Sequence, residues 1–297
     1  MNGIINVKKE RGYTSFDVVA RLRGILKMKK IGHTGTLDPD ATGVLPVCLG
    51  KATRVCDLLT DKDKVYETVM LLGKTTDTQD ITGRVLSEHE VNVTVEELRS
   101  VIASFAGAYD QLPPMYSALK VNGQKLCDLA RRGIEVERKK RTVTIYEIEI
   151  LAIALPRVTM RVHCSKGTYI RTLCEDIGNR LGCGACMEQL VRTRVADFFI
   201  ENAHTLAELE QAATDGSIAK YILPVDKVFL QKQSVSVAPG YQKLLHNGNK
   251  LSMEMLLDPE SLQPQEQLRV YDSNGIFVGI YEYQEETALL KPVKIFL

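Results

Sequence analysis

The chain has 297 residues, of which 44% are hydrophobic and 25% charged, and a formal net charge of +1. This composition suits a globular protein with one large domain and a small appendage. It excludes a low-complexity chain and a protein held to nucleic acid by overall charge. No run of about 18 apolar residues suggests a membrane span. Met1-Asn2-Gly3-Ile4-Ile5-Asn6-Val7 lacks the basic and apolar regions of a secretory signal, so a cytoplasmic location is expected. The seven cysteines are scattered and odd in number, and they read as reduced thiols. Only Cys183-Gly-Ala-Cys186 has metal-like spacing, and no second ligand pair completes a four-ligand site; no metal is expected.

Taken in order, residues 3–7 alternate as a short strand. Thr14-Ser15-Phe16-Asp17 has the pattern of a capping box. The helix it opens is expected to run to about Met28, with Phe16, Val19, Leu22 and Leu26 facing the core. The basic residues Arg21, Arg23, Lys27, Lys29 and Lys30 suit its C-terminal end. Residues 32–43 carry neither helical nor strand periodicity and read as a loop. Val44–Gly50 is an apolar strand, Lys51–Leu59 a short helix and Lys64–Gly73 a clear strand; residues 75–83 are polar and turn-like. Thr94 is expected to cap a helix ending near Phe105.

Residues 111–142 change character. Eight basic residues (Lys120, Lys125, Arg131, Arg132, Arg138, Lys139, Lys140, Arg141) stand against Asp128, Glu135 and Glu137. With Tyr116 and breaks at Gly123 and Gly133, this reads as a flexible RNA-contacting arm rather than a solvated face. Alternation returns over 142–153, with 157–164 as the partner strand. A glycine turn then leads into a helix through about Leu181. Arg171 in its first turn faces the positive end of the helix dipole, a place that calls for an anion or carboxylate opposite. Leu190–Phe199 reads as a strand with charges on alternate residues, Leu206–Ala213 as a short helix, and Tyr221–Val228 as the last element of the unit. Beyond Gln231, tight-turn pairs such as Asn247-Gly248 and short alternating runs describe a small β domain. Residues 233–297 hold five basic and eight acidic residues, so the basic surface belongs to the larger part.

The loop Gly32-His33-Thr34-Gly35-Thr36-Leu37-Asp38-Pro39-Asp40-Ala41-Thr42-Gly43 can hold one carboxylate in a fixed, exposed place. Its glycines allow close backbone approach, and Pro39 restrains the residue before it. Together with Val44-Leu45-Pro46 this stretch resembles the signature of the TruB family of tRNA pseudouridine synthases. Four further stretches match in order: Gly12-Tyr-Thr-Ser15, Lys64-Val-Tyr66, Pro113-Pro-Met-Tyr-Ser-Ala-Leu-Lys120 and Cys164-Ser-Lys-Gly-Thr-Tyr-Ile-Arg171. The likeness covers residues 3–228, and the remainder resembles more weakly the family's PUA-type domain. Two positions depart from the family pattern: Glu10, where proline is usual, and Asp40, where an apolar residue is common. Residues i and i+2 of an extended segment share a face, so Asp40 is placed to raise the pKa of Asp38.

The resemblance implies an α+β pseudouridine-synthase fold. Its central mixed, largely antiparallel sheet is flanked by helices and loops, with a small β-rich PUA-like domain appended. It implies a catalytic domain over 1–231, with an RNA-gripping insertion at about 112–141, and a PUA-like domain over 232–297. The implied activity is isomerisation of uridine to pseudouridine at position 55 of the tRNA T loop. No cofactor, metal or guide RNA is implied, and a stand-alone monomer is expected. Asp38 matches the nucleophile, Arg171 its ion-pair partner and Tyr66 the active-site tyrosine that stacks on the flipped uracil. His33, Tyr169 and Leu190 match positions around the substrate. Lys120, Lys125, Arg131, Arg132, Lys139, Lys140 and Arg141 carry the expected RNA contacts. The chemistry is consistent with these groups: a carboxylate can stabilise or trap an electron-deficient sugar carbon, and an aromatic face can hold an unstacked base. Two rival readings are a Mg²⁺-dependent phosphatase, from the DxDxT pattern Asp38-Pro-Asp40-Ala-Thr42, and a non-catalytic RNA-binding protein.

Overall fold

The computed structural model describes residues 1–257 and 262–297. Strand β1 (Gly3–Lys9) is followed by helix α1 (Ser15–Leu26), β2 (Ile31–His33) and β3 (Thr42–Leu49). A 3₁₀ turn and α2 (Cys56–Thr60) lead to β4 (Lys64–Leu72), the short pair β5 (Lys74–Thr76) and β6 (Val85–Glu88), and α3 (Val95–Ala103). Next come β7 (Gly107–Gln111), the hairpin β8 (Lys120–Val121) and β9 (Gln124–Lys125), and α4 (Leu126–Arg131). The long β10 (Arg141–Ala154) and β11 (Arg157–Cys164) precede α5 (Ile170–Arg180), β12 (Ala185–Val195), β13 (Phe198–Phe199) and α6 (Leu206–Thr214).

These strands build a mixed sheet of nine in the order β1-β3-β12-β4-β11-β10-β7, with β2 beside β3 and β13 beside β12. Every pairing is antiparallel except β3 with β12, which meet in parallel over only two residue pairs, Thr42–Val191 and Gly43–Arg192. One face packs on α3 and α5, with Met70, Met160, Val162, Leu173 and Ile177 fully buried. At the β1–β3 edge, α1 and α6 cover a second apolar cluster that includes Ile5, Val18, Leu22, Leu45 and Leu209.

The C-terminal sheet is formed by β14 (Ser234–Ser236), β15 (Leu251–Ser252), β16 (Gln267–Tyr271), β17 (Phe277–Gln284) and β18 (Leu289–Ile295). A short helix, α7 (Gln242–His246), precedes β15. This β-rich, PUA-like unit has its own core around Val237, Leu268, Val270 and Leu290. Ile280 and Phe296 also pack with Ile4, Val44 and Phe229, so the two sheets share apolar surface.

Local sequence explains where several helices start. Thr14 and Asp17, Thr94 and Glu97, and Thr205 and Glu208 form reciprocal capping boxes that satisfy otherwise unpaired first-turn amides. Three expectations need correction. Phe16 is 64% exposed, because the buried stripe of α1 is Ser15, Val18, Val19, Leu22 and Leu26; the Arg23 guanidinium lies over its ring instead. The loop is shorter than 32–43, since Gly32 and His33 pair within β2 and Thr42 and Gly43 open β3. The basic insertion is folded, not an open arm: a two-residue hairpin runs into α4, which buries Leu126 and Leu129.

Candidate active site

The segment 34–41 is held at both ends and along its length. Thr34 donates through its backbone N and through Oγ1 to the Pro46 carbonyl, at 3.1 and 3.2 Å. Ser15 Oγ accepts from the Leu37 backbone N at 2.8 Å, and the Leu37 side chain is 3% exposed in the main core. Lys9, fully buried, donates through Nζ to the carbonyls of Ala41 (2.6 Å), Pro39 (3.0 Å) and Glu10 (3.1 Å). Burial lowers the Lys9 pKa to about 8, with Asp38 and Asp40 opposing that shift. On the other side, the buried Arg192 donates through Nε to the Val44 carbonyl (2.7 Å) and through Nη2 to the Gly35 carbonyl (3.2 Å). Two buried cations thus hold the segment through its backbone.

Asp38 projects from this frame onto Arg171. The guanidinium makes a two-pronged contact, Nε to Oδ2 at 3.1 Å and Nη2 to Oδ1 at 3.4 Å. Arg171 is in turn fixed by donation to the carbonyls of Thr78 (2.9 Å) and Tyr116 (2.8 Å), and its Nη1 lies 3.7 Å from Asp80 Oδ2. Its side chain is 6% exposed, whereas that of Asp38 is 39% exposed, so the carboxylate faces outward from a buried cation. The carboxylates of Asp38 and Asp80 supply the anions that an arginine in the first turn of a helix requires. Burial raises the Asp38 pKa most; Arg171 and Lys9 pull it down, while Asp80 and Asp40 push it further up. Burial outweighs the cations. Asp40 acts in the direction foreseen, although it ranks last among these influences.

Tyr66, on β4, is 9% exposed and packs in the same core as Leu37 and Ile170. Burial raises its pKa and the neighbouring Arg192 opposes the rise, so the side chain is a neutral phenol. His33 closes the other end of the segment, its Nδ1 accepting from the Gly35 backbone N at 3.2 Å. Burial, then Arg192, lowers its pKa, so it too is neutral. Tyr169 precedes α5 and exchanges two hydrogen bonds with the Gln111 side chain, at 2.7 and 2.9 Å. Leu190 lies on β12 at the margin of the main core. The Asp38 carboxylate acts electrostatically on both Tyr66 and Tyr169, and Arg171 acts on both Asp38 and Tyr169.

Lys120, Lys125, Arg131, Arg132, Lys139, Lys140 and Arg141 are all exposed. Lys120 and Lys125 oppose each other across the β8–β9 hairpin. Arg138 differs: it donates to the Pro113 carbonyl at 3.0 Å and pairs with Glu135. Because Tyr116 accepts from Arg171, the basic insertion is tied to the Asp38 ion pair.

Sequence reasoning overlooked three members of this site. Asp80 sits in a stretch read only as a polar turn. Arg192 lies in a strand that reads as carrying charges on alternate residues, yet it is 1% exposed, and the alternation gives no sign of that burial. Lys9 ends β1 with no local sign that it would be enclosed. Cys183 and Cys186 are buried free thiols, and among the described residues no cluster of three or more His, Cys, Asp or Glu has metal-site geometry. The residues before Asp38 form a loop rather than the buried strand that a DxDxT phosphatase motif needs.

Known proteins resemble this chain along its length. The TruB family pseudouridylate synthase N-terminal domain matches residues 23–170, and the tRNA pseudouridylate synthase B C-terminal domain matches residues 171–230. Their junction falls within the first turn of α5, inside one structural unit. The chain is 55% identical to tRNA pseudouridine synthase B of Lachnoclostridium phytofermentans, covering 100% of both chains. It is 45% identical to the protein of that name from Alkaliphilus oremlandii, covering 99% of this chain and 97% of the other. Among solved structures, a chain of a Cbf5-Nop10-Gar1 complex is 29% identical with a TM-score of 0.74, covering 99% of this chain and 85% of that one. A chain of an H/ACA ribonucleoprotein bound to a substrate RNA containing 2′-deoxyuridine is 27% identical with a TM-score of 0.73, over the same shares. With its loop carboxylate clamped to a buried arginine and its full length matched by these relatives, the chain belongs to the TruB family of pseudouridylate synthases.

Proposed function

We propose that this protein isomerises uridine to pseudouridine at position 55 in the T loop of tRNA, with Asp38 as nucleophile and no cofactor. The observation that carries the reading is the Asp38–Arg171 pair, in which a part-exposed carboxylate is aimed by a buried, four-partner guanidinium. The N1–C1′ bond breaks with its electron pair passing to the uracil, which leaves C1′ electron-deficient. Attack by Asp38 on C1′, attack on C6 of the base, or removal of the C2′ proton would each use this one carboxylate. The uracil then rotates, a C5–C1′ bond forms, C5 loses its proton and N1 gains one. Product and substrate have the same formula, so the step needs no oxidant or reductant.

Asp38 must be ionised to act, and Arg171 favours that form against the cost of burial. Tyr66, a neutral phenol, suits stacking on a flipped uracil better than service as a phenolate base. His33 would brace the gap that flipping leaves, and Tyr169 and Leu190 would line the base pocket. The seven exposed cations of the insertion would grip phosphates, and residues 232–297 would act as the PUA-like RNA-binding domain. A stand-alone monomer without guide RNA fits this reading.

The test is tritium release from an unmodified tRNA transcript carrying 5-labelled uridine, with chelator and without added cofactor. Wild-type protein should release the label and place pseudouridine at position 55. Asp38→Asn should bind the transcript and release none; retained turnover in that variant would remove the nucleophile assignment. Tritium release abolished by the chelator would count against the metal-free reading.

A further inference from the structure

The Nη1 corner of Arg171 is held by the turn between β5 and β6. Its contacts there are the Thr78 carbonyl at 2.9 Å and Asp80 Oδ2 at 3.7 Å. Gln79, between those two residues, directs its side chain to α5 instead. Its Oε1 accepts from Thr172 Oγ1 at 2.7 Å, and its Nε2 donates to Glu175 Oε2. Thr172 and Glu175, three positions apart, share a face of the helix. Thr172 is 2% exposed, so its hydroxyl relies on a protein acceptor, and Gln79 supplies it. Three consecutive residues thus grip one helix at two places, Thr78 and Asp80 at Arg171 and Gln79 on the adjoining face.

The backbone of Gln79 has φ +66°, in the left-handed region that a glutamine rarely adopts. Such a conformation persists where its surroundings fix it, and strain of this kind gathers at functional sites. Here it is fixed by the two side-chain bonds to α5 and by a backbone tie to β12. The Met187 N donates to the Gln79 carbonyl at 3.0 Å, and the Ile81 N donates to the Met187 carbonyl at 2.9 Å. Asp80 Oδ1 accepts from Thr78 Oγ1 (2.8 Å), Thr82 N (3.1 Å) and Thr82 Oγ1 (2.6 Å), bonds that shape the turn without docking it. Gln79 carries no charge, so its contribution to the Asp38 site is geometric.

We propose that Gln79 is a positioning residue: its clamp on Thr172 and Glu175 sets the turn that holds Arg171 Nη1, and through Arg171 it aims the Asp38 carboxylate. A guanidinium is planar and rigid, so fixing Nη1 also fixes the direction in which Nε and Nη2 meet Asp38. The effect on rate rests on the proposed role of Asp38, whereas the hold on Arg171 is a property of the fold. A tether that merely stabilised the turn would change melting and leave the order of Arg171 untouched.

Gln79→Asn is the test variant, because asparagine tolerates the left-handed backbone but is one methylene too short to meet both partners. Thr172→Val, which removes one donor and nearly keeps the shape, should act in the same direction. Gln79→Glu combined with Glu175→Gln exchanges the amide and the carboxylate, which restores an acceptor for Thr172 and a donor–acceptor pair between positions 79 and 175. In steady-state tritium release from tRNA, Gln79→Asn should lower kcat about tenfold, the rate equivalent of one hydrogen bond, with KM changed by less than about twofold. The exchanged double variant should recover most of kcat. Independently of activity, the Arg171 Nε–H resonance, assigned by its absence in Arg171→Lys, should exchange with solvent about tenfold faster in Gln79→Asn and return towards wild type in the double variant. Unchanged kcat, a loss confined to KM, or unchanged Arg171 exchange would overturn the proposal. So would a double variant that melts as wild type yet stays as slow as Gln79→Asn. Wild-type protein that releases no label would fail the proposed reaction instead, and the Arg171 exchange rate would still decide the clamp.

Discussion

Replacing Gly43 with alanine should damage chemistry far more than RNA binding. Gly43 has φ +109°, and a Cβ there would lie 2.2 Å from the Arg192 carbonyl oxygen and 2.8 Å from its nitrogen. These are backbone atoms of the neighbouring strand and cannot swing aside. Relief requires β3 and β12 to part by about 1 Å, at the two-pair parallel contact that joins the two parts of the sheet. Forcing alanine into positive φ costs roughly 1–2 kcal/mol. Overpacking adds about 1–3 kcal/mol. The sum, roughly 2–5 kcal/mol, corresponds to a fall in melting temperature of about 5–15 °C for a chain of this size.

The same displacement pulls the Arg192 hydrogen bonds to Val44 and Gly35 away from the segment that carries Asp38. A misplacement of about 1 Å at a reacting group can cost roughly 100-fold in rate. The exposed cations of the insertion lie elsewhere, so KM for tRNA should change little. Thermal melting and steady-state tritium release on wild type and Gly43→Ala measure both effects. An unchanged melting temperature would refute the argument, and so would a loss confined to KM.

Four further outcomes follow from particular residues. The folded-state pKa of Asp38 is raised, so its proton-bound form is the one folding favours, and that contribution is lost as pH rises from the ordinary aspartate range through the raised value. Asp38→Asn should therefore melt no lower than wild type at neutral pH, with the difference closing as pH falls; melting several degrees lower would contradict the pKa direction. For the same reason, the acid limb of the wild-type rate profile should lie above the ordinary aspartate pKa of about 3.9. Neutralising Lys139, Lys140 and Arg141 should reduce the slope of log binding constant against log salt by about 2–3 if each meets a phosphate. An unchanged slope would remove the RNA-gripping role from this segment. Thr94→Ala breaks the capping box of α3, far in sequence from Asp38, and should cost about 1 kcal/mol of stability while leaving turnover intact.

The sequence by itself determined what depends on near neighbours along the chain. The capping box at Thr14, the helix cap at Thr94, the strands β4, β10 and β11, and the tight turns of the C-terminal unit are short-range patterns, and each appears where its sequence indicates. The loop that carries Asp38 could be singled out because five motifs in order specify a family, although no periodicity in the loop gives its geometry. Only the tertiary structure decided how the charges are distributed. Lys9 and Arg192 look like surface cations in sequence, but both are enclosed because backbone carbonyls of the Asp38 loop converge on them. Asp80 joins the site through Arg171, 91 positions further along the chain, and no local rule links the two. Phe16 turned outward because rotation along α1 is set by its strongest apolar stripe, which passes one residue to its side. The raised pKa of Asp38 is likewise a tertiary property, because its largest cause is burial by segments that meet only when the sheet closes.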